Sequence, residues 1–361
     1  MKRAINFNAG PAAIPQEVLE KAQAEMLDWK GTGMSVMEVS HRSKEYEEMH
    51  NHAQASFKEI AGMGEDWKIL FLAGGANLQF SMLPMNLLPE GGSADYLVTG
   101  HWSKTAVKEA KRYGKINAIS SEKDGTFRSI LKQSEIKLDP AAAYVHMTSN
   151  NTIFGTQWDY WPEVGSAPLV ADMSSDIFSR PFPADKFSMI YAGAQKNLGP
   201  SGVIVVAIKE AFLAKAKEDL PSMLSYKIHA ANNSLFNTPP CFSIYILDLT
   251  LDWIKKQGGL EGMRKVNEEK ARILYDAIDA SGGYFNCPVD KDARSKMNVV
   301  FRLKSEELEE KFVKDAKAAG IIGVKGHRSV GGIRFSIYNA NLVANVKAST
   351  DFMKDFQKKN G

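Results

Sequence analysis

The stretch from residue 187 to residue 208 limits the fold more than any other. Two apolar runs, 187–191 and 203–208, read as buried strands. Between them lies a tight loop with Gly193, Gly199, Gly202 and Pro200, and a single charged side chain, Lys196. Just upstream, Pro168-Leu169-Val170-Ala171-Asp172 is another short apolar run, ending on a carboxylate. Short continuous apolar runs bounded by turn residues suit the interior of a sheet covered on both faces.

Further strand-like runs alternate with helical periodicity from about residue 67 to residue 208. Residues 67–72 form one such run, 95–99 a second, 116–119 a short third and 143–148 a fourth. Strands alternating with helices read as one α/β sheet domain. The turn before 203–208 is short, so that strand is expected to run antiparallel to its neighbour. In open α/β sheets ligands bind at the carboxyl ends of the strands, where Asp172 lies and near where Lys196 follows. An ammonium set between buried strands is costly to desolvate, so its pKa falls and the amine becomes a nucleophile toward aldehydes. A strand-end Asp with a loop Lys is the pair that pyridoxal phosphate (PLP) requires, the Lys for the aldehyde and the Asp for the pyridine nitrogen. The plainer alternative is a surface lysine and a helix-capping aspartate.

Other stretches suggest anion sites. The 67–72 strand runs into Ala73-Gly74-Gly75-Ala76-Asn77 and then a helix, an arrangement that points backbone N–H groups at a phosphate. The sequence is neither GxGxxG nor a Walker loop, so a nucleotide is not indicated. His41 and Arg42 stand side by side before a polar helix over 44–60, where Ser43 reads equally as a simple helix cap. Gly326-His327-Arg328-Ser329-Val330-Gly331-Gly332 places two more basic groups in a glycine-rich turn, and Arg334 follows on the strand face opposite Phe335. Trp102 is expected at a strand end, in Gly100-His101-Trp102-Ser103, with a helix from 104 to 113; there its indole either stacks on a flat ligand or packs in the core.

Toward the N-terminus, residues 6–11 read as an extended arm. A helix is expected over 15–30, with Val18, Leu19, Ala22, Met26 and Leu27 on one face. Beyond the sheet domain, Asn237-Thr238-Pro239-Pro240 is a loop, followed by helices over 244–256 and 260–280 that lead into a second α/β unit. That unit has strands over 298–303 and 333–337 and helices over 305–319 and 341–358.

Composition excludes several classes. The 361 residues carry 45 Lys and Arg against 42 Asp and Glu, a net charge of +3 spread along the chain, which does not suggest nucleic acid or membrane partners. Cys241 and Cys287 form no CxxC and no ligand cluster, so neither a disulfide framework nor a metal is expected. The N-terminus has no apolar signal-peptide core and no run long enough for a bilayer, which predicts a cytoplasmic protein.

Taken together, Ser40-His41-Arg42-Ser43, Gly193-Ala194-Gln195-Lys196-Asn197, Asn237-Thr238-Pro239-Pro240 and Gly326–Gly332 resemble the motifs of the phosphoserine aminotransferases, class V enzymes of PLP fold-type I. The resemblance runs from Asn6 to Ala340. It implies a large PLP-binding α/β domain over 16–258, with a mainly parallel seven-stranded sheet between helices. It also implies a smaller α/β domain built from 1–15 and 259–361. One PLP per subunit would be held as a Schiff base on Lys196, which also moves the substrate's α-proton. Asp172 would pair with the pyridine nitrogen, Trp102 stack on the ring and Thr152 touch its hydroxyl oxygen. Ala76, Asn77 and Gln195 would hold the phosphate, joined by Asn237 and Thr238 of the neighbouring subunit in a homodimer with shared sites. Arg334 would take the substrate α-carboxylate; His41, Arg42, His327 and Arg328 its distal anion.

The implied reaction moves the amino group of L-glutamate to 3-phosphohydroxypyruvate, giving 2-oxoglutarate and O-phospho-L-serine for serine biosynthesis. Glutamate's distal carboxyl carbon and phosphoserine's phosphorus are each the third atom beyond Cα, so the same basic groups serve both. The resemblance leaves open the 4-phosphohydroxy-threonine step of vitamin B6 synthesis. Two other readings share part of the pattern. An aminotransferase of the alanine or serine–glyoxylate type would have no use for the basic pairs. A non-catalytic binder of a phosphorylated metabolite would have no use for Lys196 with Asp172.

Overall fold

The computed structural model describes residues 3–361. The chain opens with β1 (Ile5–Asn6), α1 (Gln16–Ala24) and α2 (Lys44–Ala61). The sheet domain follows with β2 (Trp67–Leu72), α3 (Gly75–Leu87), β3 (Ser93–Val98), α4 (His101–Ala110), β4 (Lys115–Ser120), β5 (Val145–Thr148), β6 (Leu169–Asp172), β7 (Met189–Gly193) and β8 (Ile204–Lys209). Two short helices, α5 (Glu210–Leu213) and α6 (Tyr226–Ala231), lead to the long α7 (Cys241–Lys256) and α8 (Gly259–Asp279). The last part holds β9 (Asn298–Phe301), α9 (Glu306–Ala318), β10 (Ile321–Ile322), β11 (Ile333–Ser336) and α10 (Val343–Asn360).

The main sheet has seven strands in the order β2-β8-β7-β6-β5-β3-β4. Strand β8 runs antiparallel to both β2 and β7, and the remaining pairs are parallel. Its inner strands are buried along their whole length because helices cover both faces. One face packs on α2 and α7, with Tyr46, Phe57, Phe178, Leu247 and Ile254 in the core. The other packs on α3 and α4 through Phe80, Leu83, Ala106 and Tyr191.

A separate core forms around the antiparallel pair β9 and β11. The N-terminal arm belongs to this core. Strand β1 pairs with β10 in parallel, Ser336 N–H donates to the Phe7 carbonyl, and the Phe7 ring meets Phe335 edge-on at 4.8 Å. Burial of large aromatic rings supplies most of the driving force here.

Three expected boundaries differ. The first helix stops at Ala24 instead of Lys30. Past it, Asp28 accepts from the Gly33 N–H at 2.8 Å and Trp29 N–H donates to the Met34 carbonyl, a closed loop that displaces further helical turns. Leu27, expected on the apolar face, is 86% exposed as a result. The helix expected from 104 begins at His101. The Ser103 hydroxyl accepts from the Thr99 and Gly100 N–H groups and so starts the helix three residues earlier. Helix α7 begins at Cys241 and not at Ile244, since Pro239 and Pro240 lie just outside it. At α2, Ser43 is the helix cap, accepting from Tyr46 N–H at 3.3 Å.

Candidate active site

The carboxyl ends of β5, β6 and β7 open on a cleft of about 330 Å³. Nine of the residues singled out above line it: Ala76, Asn77, Trp102, Thr152, Asp172, Gln195, Lys196, His327 and Arg334. His41, Arg42, Asn237, Thr238 and Arg328 do not. Arg42, Thr238 and Arg328 are exposed, whereas His41 and Asn237 are part-buried.

Lys196 follows β7 directly, in the turn that reverses the chain into β8. Its Nζ donates to Thr152 Oγ1 at 2.7 Å. Burial lowers its pKa to about 8; Asp172 opposes that shift, Arg334 adds to it and Asp176 opposes it. Asp172 ends β6, and its Oδ1 accepts from Ser174 N–H at 2.9 Å. Burial raises its pKa, against the Ser174 hydrogen bonds and the charge of Lys196. A buried carboxylate in this position is stabilised by a cationic partner.

Arg334 enters from β11. Its Nη1 donates to the Thr152 carbonyl at 3.1 Å, while buried Nε has no partner among the described residues. Burial pulls its pKa down. Thr152 is therefore a hub: its hydroxyl holds the amine and its carbonyl holds the guanidinium. The loop carrying it is tied to a second buried carboxylate, Asp176, which accepts from the Ser149 hydroxyl and from Gln157 Nε2. Neither Asp176 nor the Thr152 carbonyl stands out in the sequence. The polar run Asp172-Met173-Ser174-Ser175-Asp176 after an apolar strand is the one local signal that pointed to such a network.

At the N-terminus of α3, Gly74 caps the helix with φ +86°, and a Cβ there would fall 2.5 Å from Leu78 Cδ2. Glycine alone fits the turn that brings the first N–H groups of α3 to the cleft. From the opposite wall comes the N-terminal arm. A Cβ on Gly10 would lie 3.4 Å from Gln195 Cγ and 3.5 Å from Lys196 Cγ. The arm thus packs on the stem of the lysine.

The motif-bearing cleft has matches among known proteins. A family profile described as "Aminotransferase class-V" matches residues 4–348. A phosphoserine aminotransferase of Desulfosudis oleivorans is 56% identical, covering 100% of this chain and 99% of the relative. The solved phosphoserine aminotransferase of Bacillus circulans subsp. alkalophilus is 52% identical, with TM-score 0.98 and full coverage of both chains. The chain belongs to the class V aminotransferases, among the phosphoserine aminotransferases. A further solved member, from Trichomonas vaginalis, is 40% identical with TM-score 0.93, covers 98% of this chain and 100% of its own, and is described as PLP-bound.

The residues of this aminotransferase fit that cofactor. Among the described residues Trp102 Nε1 and Arg334 Nε have no partner and Asp172 makes no ion pair, and Lys196 offers an amine whose pKa is already depressed. His101 was not singled out by the sequence. The early start of α4 places it in the helix's first turn beside Trp102, with its ring edge-on to the indole at 5.1 Å.

Proposed function

We propose that this enzyme transfers the amino group of L-glutamate to 3-phosphohydroxypyruvate, forming 2-oxoglutarate and O-phospho-L-serine in serine biosynthesis. The observation that carries the reading is the convergence of Lys196, Asp172 and Arg334 on one cleft in a chain so similar to phosphoserine aminotransferases. When bound, PLP supplies an aldehyde that reacts with amines and a protonated ring that draws electrons from Cα.

The chain's own residues do the rest. Asp172 pairs with the ring nitrogen and keeps it protonated. Trp102 covers the ring face, and Thr152 meets its hydroxyl oxygen. Ala76, Asn77 and Gln195 hold the phosphate beside the N-terminus of α3. Arg334 takes the substrate α-carboxylate, using the Nε that has no protein partner. That contact orients Cα toward Lys196, whose Nζ holds and returns the α-proton. His327 and Arg328 receive the distal anion.

Asn237, Thr238, His41 and Arg42 serve the cleft of a second copy, in a homodimer with shared sites. Their absence from their own chain's cleft supports this reading. Residues 16–258 act as the cofactor-binding domain, and 1–15 with 259–361 as the smaller one; the shared core of Phe7 with β9 and β11 supports that division. No described helix is long and apolar enough to cross a membrane, in keeping with a cytoplasmic enzyme.

A visible spectrum tests the reading. Protein loaded with PLP is expected to absorb near roughly 400 nm and to shift toward about 330 nm with glutamate. Adding 3-phosphohydroxypyruvate, but not pyruvate, restores the first band. A folded protein with no band, or one restored equally by pyruvate, refutes the assignment.

A further inference from the structure

Two imidazoles from distant parts of the chain lie near each other, one on a cleft-lining residue, His327, and one on His101, the neighbour of cleft-lining Trp102. His101 belongs to the first turn of α4, beside Trp102. His327 lies in the turn before β11 and lines the cleft together with Arg334. Their ring centroids are 6.1 Å apart and the planes are inclined by 43°. His327 Nδ1 is paired with the Ser329 hydroxyl at 2.7 Å, which leaves Nε2 for a ligand. With the rings this close, one tetrahedral oxyanion can accept from both.

We infer that His101 is a specificity-determining residue of this enzyme: it donates, from the same chain, to the distal anion of the substrate and favours a dianionic phosphate over a monoanionic carboxylate. The inference rests on the proposed function. The surroundings are already cationic, since Arg334, His101 and Arg328 all act on His327 in the direction of burial, lowering its pKa. Crowded positive groups gain more from a ligand with two charges than from one with a single charge. The two rings also come from opposite walls, so an anion gripped by both ties the α4 wall to the His327 turn.

The test compares cofactor-loaded wild type with His101→Gln and His101→Lys. His101→Gln is expected to raise KM for 3-phosphohydroxypyruvate roughly fivefold, with kcat and KM for 2-oxoglutarate each changing less than about twofold. His101→Lys, which restores a strong N–H donor, recovers most of the loss. Equal losses on both acceptors, a change in kcat alone or no recovery with lysine overturns the inference. Inorganic phosphate, used as a competitive inhibitor, separates this outcome from a failure of the proposed function. If wild type does not prefer the phosphorylated acceptor, the function fails first. The inhibition constant for phosphate then decides the role of His101: a rise in His101→Gln supports it and an unchanged value overturns it.

Discussion

Lys270 is fully buried and Lys196 part-buried, and both have depressed pKa values, yet their surroundings give them opposite roles. Lys270 projects from α8 and donates to the carbonyls of Ile337 and Tyr338, each at 2.8 Å. Burial lowers its pKa to about 7. Lys196 has a value of about 8 for the same first cause, but it has one hydroxyl partner and opens on a cleft. A depressed pKa therefore does not identify a reactive amine. What separates the two is commitment. Lys270 commits two protons to backbone carbonyls, whereas the charge of Lys196 is set between the carboxylates of Asp172 and Asp176 and the opposing guanidinium of Arg334.

The largest expected effect comes from replacing each lysine with methionine. Lys196→Met loses transamination by roughly a thousandfold or more while its melting temperature stays within a few degrees. Lys270→Met leaves the Ile337 carbonyl without its donor, while Tyr338 keeps the Asn341 N–H, and costs about 1–3 kcal/mol, read from urea unfolding, while the folded fraction keeps its kcat. The pH dependence sharpens the contrast. The folded pKa of Lys270, about 7, lies below the ordinary lysine value of about 10.4, so the unfolded chain binds more protons between them. This group's contribution to wild-type stability therefore rises with pH across that window, and the rise is missing in Lys270→Met. An active Lys196→Met, or a Lys270→Met as stable as wild type at every pH, breaks the comparison.

The two lysines also differ in how far the sequence reveals them. Lys196 is legible because glycines and a proline punctuate the loop between two apolar runs. Lys270 sits in Glu268-Glu269-Lys270-Ala271-Arg272, where helical charges read as solvent-facing. Only the carbonyls of residues 337 and 338, folded back against α8, bury it. The same rule runs through the molecule. The inner strands β5 to β8 are legible as apolar runs, because a sheet covered on both faces leaves no polar alternation, whereas the edge strand β4 is largely exposed. Helix ends are less so, since Ser103 and Asp28 set them through one or two side-chain hydrogen bonds. In the site, the residue types that carry charge are legible one by one. The hydrogen bonds that Ser149 and Gln157 donate to Asp176, and Arg334 to the Thr152 carbonyl, join segments far apart in the chain, and the polar run 172–176 hints at a network without naming these partners.

An intermediate effect concerns the balance around Lys196 itself. Competitive acetylation of the cofactor-free protein, read by mass spectrometry across pH, is expected to label Lys196 half-maximally near pH 8. Asp172→Asn removes the charge that opposes burial and shifts the midpoint lower. Arg334→Met removes a like charge and shifts it higher. The opposite directions are the test, because a general loosening of the cleft would move both variants upward, toward the ordinary lysine value. Two shifts of the same sign would mean that burial alone sets Lys196, as it does Lys270.

The smallest effect isolates the one hydrogen bond that Lys196 makes. Thr152→Val keeps the shape of the side chain and the backbone carbonyl that binds Arg334, and deletes only the hydroxyl. An acceptor near an ammonium favours the charged form, so its loss lowers the labelling midpoint of Lys196, by less than Asp172→Asn does. The stability cost is that of a single hydrogen bond, about 0.5–1.5 kcal/mol. KM for glutamate should hold within about twofold, since the carboxylate contact proposed for Arg334 is positioned by the Thr152 carbonyl and not by the hydroxyl. Thr152→Ser restores the midpoint. A large rise in KM with Thr152→Val would instead mean that the hydroxyl and the carbonyl act as one unit, with the amine and the guanidinium set by the position of the whole loop.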